Sequence, residues 1–216
     1  MGLLQLLMPD ACAGCWAYGE LLCRSCEASL RPASAEADRF AAADPGIVVG
    51  DAMELAMAAY VHEGALRRVL QRLKYGGAGR IAVPLARAAV PTLRTLATLS
   101  GPAPLIPVPV HAARRRQRGY NQAELLANAI GQLAGLPVLD LLRRDRQTAR
   151  QHGLGRAARL HNLRGAIGVR PGARVPGVAI LVDDILTTSA TMEACAEALR
   201  RHGCRRVFGF AVAREA

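Results

Sequence analysis

The chain has 216 residues, 51% of them apolar, enough to bury one substantial core and near the upper end of what a single core organises. Its 28 basic and 17 acidic residues give a formal net charge of +11, which favours polyanions such as nucleic acid, nucleotides or pyrophosphate as partners. Lys74 is the sole lysine, so the excess is arginine; a GC-rich genome would produce the same bias, and binding would be salt-sensitive if the charge serves it. Met1 to Met8 are apolar but too few to span a bilayer, and they lack a basic leading region and a small-residue cleavage site. No other stretch approaches transmembrane length, so the expectation is a soluble, cytoplasmic protein without membrane insertion.

Pro9 to Pro32 holds four of the six cysteines and little that could make an apolar core, which suggests a metal-stapled module over residues 1–32. Residues 33–50, rich in alanine with Pro45 and Gly46, read as a linker, and residues 51–216 as the main domain. Leu55 to Val61 suits a strand. Leu66, Val69, Leu70 and Leu73 follow at the spacing of one helix face, stopping at Gly76 and Gly77. A second helix is expected from about Ile81 to Leu99, with ends blurred by Pro84 and Pro91. Leu105 to Val110 alternates proline with aliphatics, as at the end of a strand, and leads into a basic loop, His111 to Arg118. Asn121 and Glu124 have the spacing of a capping box for a helix reaching about Ala134, with Leu126, Ile130 and Leu133 as its stripe. Residues Leu141 to Arg164 read as an exposed, arginine-rich excursion. Val178 to Val182 has the pattern of a parallel strand buried on both faces. Met192, Cys195, Ala196 and Leu199 then mark a helix face, and Val207 to Val212 a last strand. This alternation indicates an open α/β sheet.

In such a sheet, ligands gather at the carboxyl ends of strands. Asp183 and Asp184 sit there and can accept hydrogen bonds from vicinal hydroxyls or hold a magnesium ion. Thr187, Thr188, Ser189 and Thr191 bring hydroxyls and free N–H groups to a helix start, where the dipole favours anions. A diol and a phosphate together match this set. Plain helix capping is the alternative, although it accounts for one such residue rather than two acids and four hydroxyls. The thirteen residues AILVDDILTTSAT resemble the phosphoribosyl pyrophosphate signature of type I phosphoribosyltransferases. By that resemblance Asp183 and Asp184 contact the ribose hydroxyls, and Thr187, Thr188, Ser189, Ala190 and Thr191 wrap the 5-phosphate. Ser189 stands where most members have glycine, so a side chain occupies a place where backbone approaches phosphate.

Cys12 and Cys15 form one C-x2-C pair and Cys23 and Cys26 another, a spacing that can set four thiolates tetrahedrally around zinc. Disulfides are the alternative, disfavoured in a reducing compartment. Four sulfur ligands would make the zinc structural. Trp16 and Tyr18, between the pairs, could pack against the metal site or stack on bases; packing is the expectation for Trp16. Cys195 and Cys204 are expected as buried thiols. HAARRRQRGYN, from His111 to Asn121, sets arginines directly after a strand. In a phosphoribosyl fold it would face pyrophosphate, with His111, Arg114, Arg115, Arg118, Tyr120 and Asn121 as contacts; a solvated charge run is the alternative.

The cysteine quartet, LKYGG at Leu73 to Gly77, RGYNQAELLA at Arg118 to Ala127, the TxxQxxL spacing at Thr148 to Leu154 and the VDD motif, taken in order, resemble the ComF family. The polar segment Gln147 to Asn162 adds Arg159 to the candidate anion contacts. The resemblance implies a type I phosphoribosyltransferase fold, an open and mostly parallel sheet flanked by helices, with a small N-terminal four-cysteine zinc module. It implies phosphoribosyl pyrophosphate or a related nucleotide as ligand, with Mg2+, and single-stranded DNA and other competence proteins as partners in natural transformation. Two further readings are an active phosphoribosyltransferase, with Asp183 and Asp184 at its catalytic centre and a base or amine as acceptor, and a zinc-bearing adaptor with a vestigial ligand site.

Overall fold

The short helix α1 (Arg24–Ala28) opens the regular structure, and the aliphatic run Leu55–Val61 forms strand β1 with the bounds its sequence predicts. Helix α2 (Gly64–Tyr75) follows, burying Ala65, Leu66, Val69, Leu70 and Leu73, the stripe expected of a helix facing a core. These elements come from a computed structural model that describes residues 10–33, 52–75, 79–144, 166–187 and 190–215. The linker at 34–50, Gly76 and Gly77, and the polar segment 147–162 lie outside the described residues.

A 3-10 turn (Gly79–Ile81) leads into helix α3 (Ala82–Ser100). Pro84 falls in its first turn, where no intrahelical N–H is required. Pro91 lies inside the helix and removes the N–H that would reach Arg87; the buried face of Leu85, Ala89, Leu93 and Leu96 carries the helix past it. Strand β2 is only Leu105–Pro107, although the Val108 N–H still donates to the Val182 carbonyl at 2.9 Å.

The basic segment is a helix rather than the expected loop: α4 spans Ala112–Arg118. The His111 side chain accepts from the Ala113 N–H, and Gly119, with φ of 82°, ends the helix by donating to the Arg115 carbonyl. Alanine, arginine and glutamine are good helix formers, so two caps suffice although the helix buries no residue. Helix α5 (Gln122–Ala134) begins at Asn121, whose side chain accepts from the Ala123 N–H. Glu124 pairs with Arg115 at 3.1 Å.

The excursion after Leu141 is partly internal. Leu142–Arg144 (β3) pairs antiparallel with Ile167–Val169 (β4), and Leu141, Leu142 and Ile167 are buried with the helix that closes the fold. Strand β5 runs from Val178 to Leu186, helix α6 from Ala190 to Arg201 and strand β6 from Arg206 to Arg214. The main sheet has the order β1-β6-β5-β2, every pairing parallel. The protein is therefore α/β, with helices on both faces. Ile180 and Val182 join the core built with α2, α3 and α5, whereas Ala179 and Leu181 join the core built with α6.

Residues 10–33 do not stand apart from that first core. Cys12, Ala13, Leu22, Cys26 and Leu30 are buried within it. Pro32 bridges to Tyr60 of β1, and Arg31 forks onto Glu63 at 2.6 and 2.9 Å.

Candidate functional site

Helix α5, reached from β2 through α4, packs on one face of the sheet and α6, which follows β5, on the other, so the chain leaves the carboxyl ends of these neighbouring strands in opposite directions. Open α/β sheets bind ligands at such a reversal. Asp183 and Asp184 lie there, but inside the strand: Asp183 is in register with Ala211, and pairing continues to Leu186. The strand period of two sends Asp184 toward the α2 face and Asp183 toward the α6 face.

Asp184 is 4% exposed and forms an ion pair with Lys74 of α2, Nζ to Oδ2 at 2.6 Å. The Asp183 Oδ1 accepts the Asp184 N–H at 2.8 Å. Burial, then the neighbouring Asp184 charge, pushes the Asp183 carboxyl well above the ordinary aspartate range, against the opposing pull of that N–H and of Lys74. Arg144 of β3 is half-buried nearby; burial, then the Arg114 charge, lowers its affinity for a proton, while Cys195 and Asp183 act the other way.

Thr187 is exposed just beyond β5, Ala190 is the buried first residue of α6, and Thr191 is half-buried. The helix start expected to hold phosphate thus falls at Ala190, just beyond the end of β5. Thr188, Ser189 and Arg159 lie outside the described residues. His111 and Arg114 follow β2 at the same carboxyl edge, at the start of α4. Arg118 donates to Gln122 at 2.9 Å and lies over the Tyr75 ring at 5.0 Å. Tyr120 donates to the Leu73 carbonyl at 2.5 Å, and the buried Asn121 donates to the Val108 carbonyl at 3.0 Å. Those two side chains tie α2 and β2 to the loop before α5.

Three residues without an expected role also belong here. Lys74 is the ion partner of Asp184; its being the only lysine among 28 basic residues was the available signal, because an ammonium is not interchangeable with a guanidinium. His62 follows β1 directly, at the same carboxyl edge, and that position was its signal. Burial, then Lys74, lowers its imidazole, and its Nε2 is buried without a hydrogen-bond partner among the described residues. Arg144 gave no signal beyond the short LLRR run.

Cys12, Cys15, Cys23 and Cys26 converge, with their sulfurs all within 4.8 Å of one another. Cys15 and Cys23 are 3.6 Å apart, close to the roughly 3.8 Å edge of a tetrahedron with Zn–S near 2.3 Å. The Gly14 and Cys23 N–H groups donate to the Cys12 sulfur at 3.3 and 3.4 Å. Burial works to raise the Cys12 thiol, but the N–H groups of Cys23, Gly14 and Cys15 outweigh it and bring it to about 6. A Cβ on Gly14 would sit 2.7 Å from the Cys26 sulfur. The donor set fits a closed metal site. Trp16 does not pack into it: the indole is 69% exposed, with the Arg72 guanidinium 3.1 Å from its ring centre. Cys195 and Cys204 are buried as expected, and burial raises both thiols.

Taken together, these features define an α/β protein with a parallel sheet, an acidic pair at its ligand edge and a cysteine cluster that can hold a metal. Competence protein F of Haemophilus influenzae is 32% identical over 156 residues, covering 68% of this chain and 66% of that protein. DNA utilization protein YhgH of Salmonella typhimurium is 31% identical over 147 residues, 66% of this chain and 64% of that protein. Competence protein ComFC of Streptococcus pneumoniae is 32% identical over 107 residues, half of this chain and 46% of that protein. The chain belongs to the ComF family. It spans just under two thirds of the length of the first two relatives. No family model matches it.

Proposed function

We propose that this protein binds phosphoribosyl pyrophosphate, with magnesium, in the crevice between β2 and β5, and acts on the cytoplasmic side in the uptake and handling of single-stranded DNA. The observation that carries the ligand is the position of Asp183 and Asp184: adjacent carboxylates at the carboxyl end of a central parallel strand, with the amino end of α6 just beyond. Carboxylates suit a ribose diol or a metal-bound diphosphate, and a helix amino end suits a phosphate. Arg114 supplies positive charge from the β2 side. The role in DNA uptake rests on the names of the relatives, a competence protein and a DNA utilization protein, and on the formal charge of +11. The cysteine quartet holds a structural zinc, because four thiolates leave no open coordination position.

Calorimetric titration with phosphoribosyl pyrophosphate and magnesium tests the ligand. Saturable heat that disappears in Asp183→Asn and Asp184→Asn is expected. No saturable heat from the unaltered protein would reject the reading.

A further inference from the structure

We propose that Trp16 and Tyr75, aligned along one face of α2 and backed by Arg72 and Arg118, form a platform on which the bases of a single-stranded nucleic acid stack. Trp16 is 69% and Tyr75 63% exposed, whereas Phe208 and Phe210 are buried in the core. Folding gains little from leaving two large rings in water, so their exposure asks for a partner.

The rings are not loose. Arg72 covers one face of Trp16 at 3.1 Å and is anchored beyond it by donating to the Cys12 carbonyl at 2.8 Å. Arg68, one turn earlier, donates to the Gly14 carbonyl at 2.5 Å. Trp16 also has φ of 71°, the one positive value at a non-glycine residue among the described residues. A bulky side chain rarely adopts that conformation, and such outliers concentrate at binding sites. Three residues beyond Arg72, on the same helix face, Tyr75 stacks with Arg118 at 5.0 Å and accepts from it at 3.4 Å. The result is a repeated unit along α2: a ring with one face held by a guanidinium and much of its surface open to water.

That unit selects its partner by chemistry. A base has a flat face for the ring, and the chain that carries it has phosphates for the arginines. A duplex hides its base faces, and an acidic peptide offers charge without regularly spaced rings. Tyr18, 79% exposed, lies two residues from Trp16 in the same loop. The inference rests on the proposed role in DNA handling only for the strand being DNA rather than RNA.

Trp16 is the only tryptophan, so its emission reports on this surface alone. Titrating the full chain with a short oligothymidylate at low salt should quench that emission saturably. Trp16→Ala and Tyr75→Ala should each weaken oligothymidylate binding, measured by anisotropy of a labelled strand, about 5- to 150-fold, the range base–aromatic stacking gives. Trp16→Phe, which keeps a ring, should stay within a few-fold of wild type. Equal quenching by heparin or by a duplex of the same sequence would overturn the proposal, as would wild-type affinity in both alanine variants. Phosphoribosyl pyrophosphate titrated into Trp16→Ala separates the two readings. Normal heat with weakened oligothymidylate binding supports the platform, whereas normal heat with unchanged oligothymidylate binding removes it and leaves the ligand site intact.

Discussion

The Lys74–Asp184 pair lends itself to a quantitative test. Its side chains are 21% and 5% exposed, and the contact is 2.6 Å. Deleting the ammonium with Lys74→Met leaves a buried carboxylate without its counter-charge, a change that costs about 3–5 kcal/mol in buried pairs. Water reaching the lysine end puts this case near the low end, ~3 kcal/mol. For a chain of this size that corresponds to a fall in Tm of about 6–12 °C. Asp184→Asn leaves a lysine that can turn to solvent, so it should cost less, about 1–2 kcal/mol. Adding Lys74→Met to Asp184→Asn should then cost little more, giving a coupling of ~2 kcal/mol or above in a double-mutant cycle. Urea denaturation of the four proteins at neutral pH measures it. Additivity to within about 0.5 kcal/mol, the range expected of independent sites, would refute the reasoning, since it would mean the two charges do not depend on each other.

Asp183 has a raised carboxyl in the folded state, so the native protein holds its proton more tightly than the unfolded chain; stability from this group is full below about pH 3.9 and is lost as pH rises through the folded value. Asp183→Asn, which retains the oxygen that accepts the Asp184 N–H, should raise Tm at pH 7, and the gain should vanish when the melts are repeated toward pH 4. Gly14→Ala drives a methyl to 2.7 Å from the Cys26 sulfur and should cost about 1–3 kcal/mol together with the bound metal; elemental analysis finding one zinc per chain in both proteins would contradict it. Tyr120→Phe removes the bond to the Leu73 carbonyl and should lower stability by about 1 kcal/mol, measured by urea denaturation.

Elements that bury an apolar stripe are legible from sequence. β1 and α2 follow directly from the spacing of Leu55 to Leu73, and α6 from Met192, Cys195, Ala196 and Leu199, all of which are buried. Helix α4 is not legible, because it buries nothing and therefore carries no periodicity; its stability lies in the His111 and Gly119 caps. Strand β5 runs longer than its aliphatic pattern for a related reason. Two acids normally end an aliphatic strand, but pairing with β6 carries the backbone on to Leu186, and Lys74 neutralises the buried acid from a helix more than a hundred residues earlier in the chain. Such a partner is invisible to any local pattern. The sequence favours packing for Trp16 because an indole beside four cysteines usually has a core to enter; Arg72, reaching across from α2, holds it at the surface instead.

Helix α2 connects what the sequence presents as separate modules. Arg68 and, one turn later, Arg72 hold the carbonyls of Gly14 and Cys12, inside the cysteine cluster. On its last turn, the Leu73 carbonyl receives Tyr120 and Lys74 holds Asp184. The apolar stripe alongside them is fully buried at Val69, Leu70 and Leu73, so the helix cannot shift without disturbing its packing along the whole length. A metal that fixes the geometry of Cys12 and Gly14 therefore also fixes the register of the helix that presents Lys74 to the acidic pair. Because coupling between two binding equilibria is reciprocal, a ligand that draws Lys74 away from Asp184 must change metal affinity by the same factor that metal changes ligand affinity. Measuring phosphoribosyl pyrophosphate binding in metal-replete and chelator-treated protein tests the link: equal affinity in the two would refute it, whereas a real coupling must return the same factor when zinc competition is measured with and without the ligand.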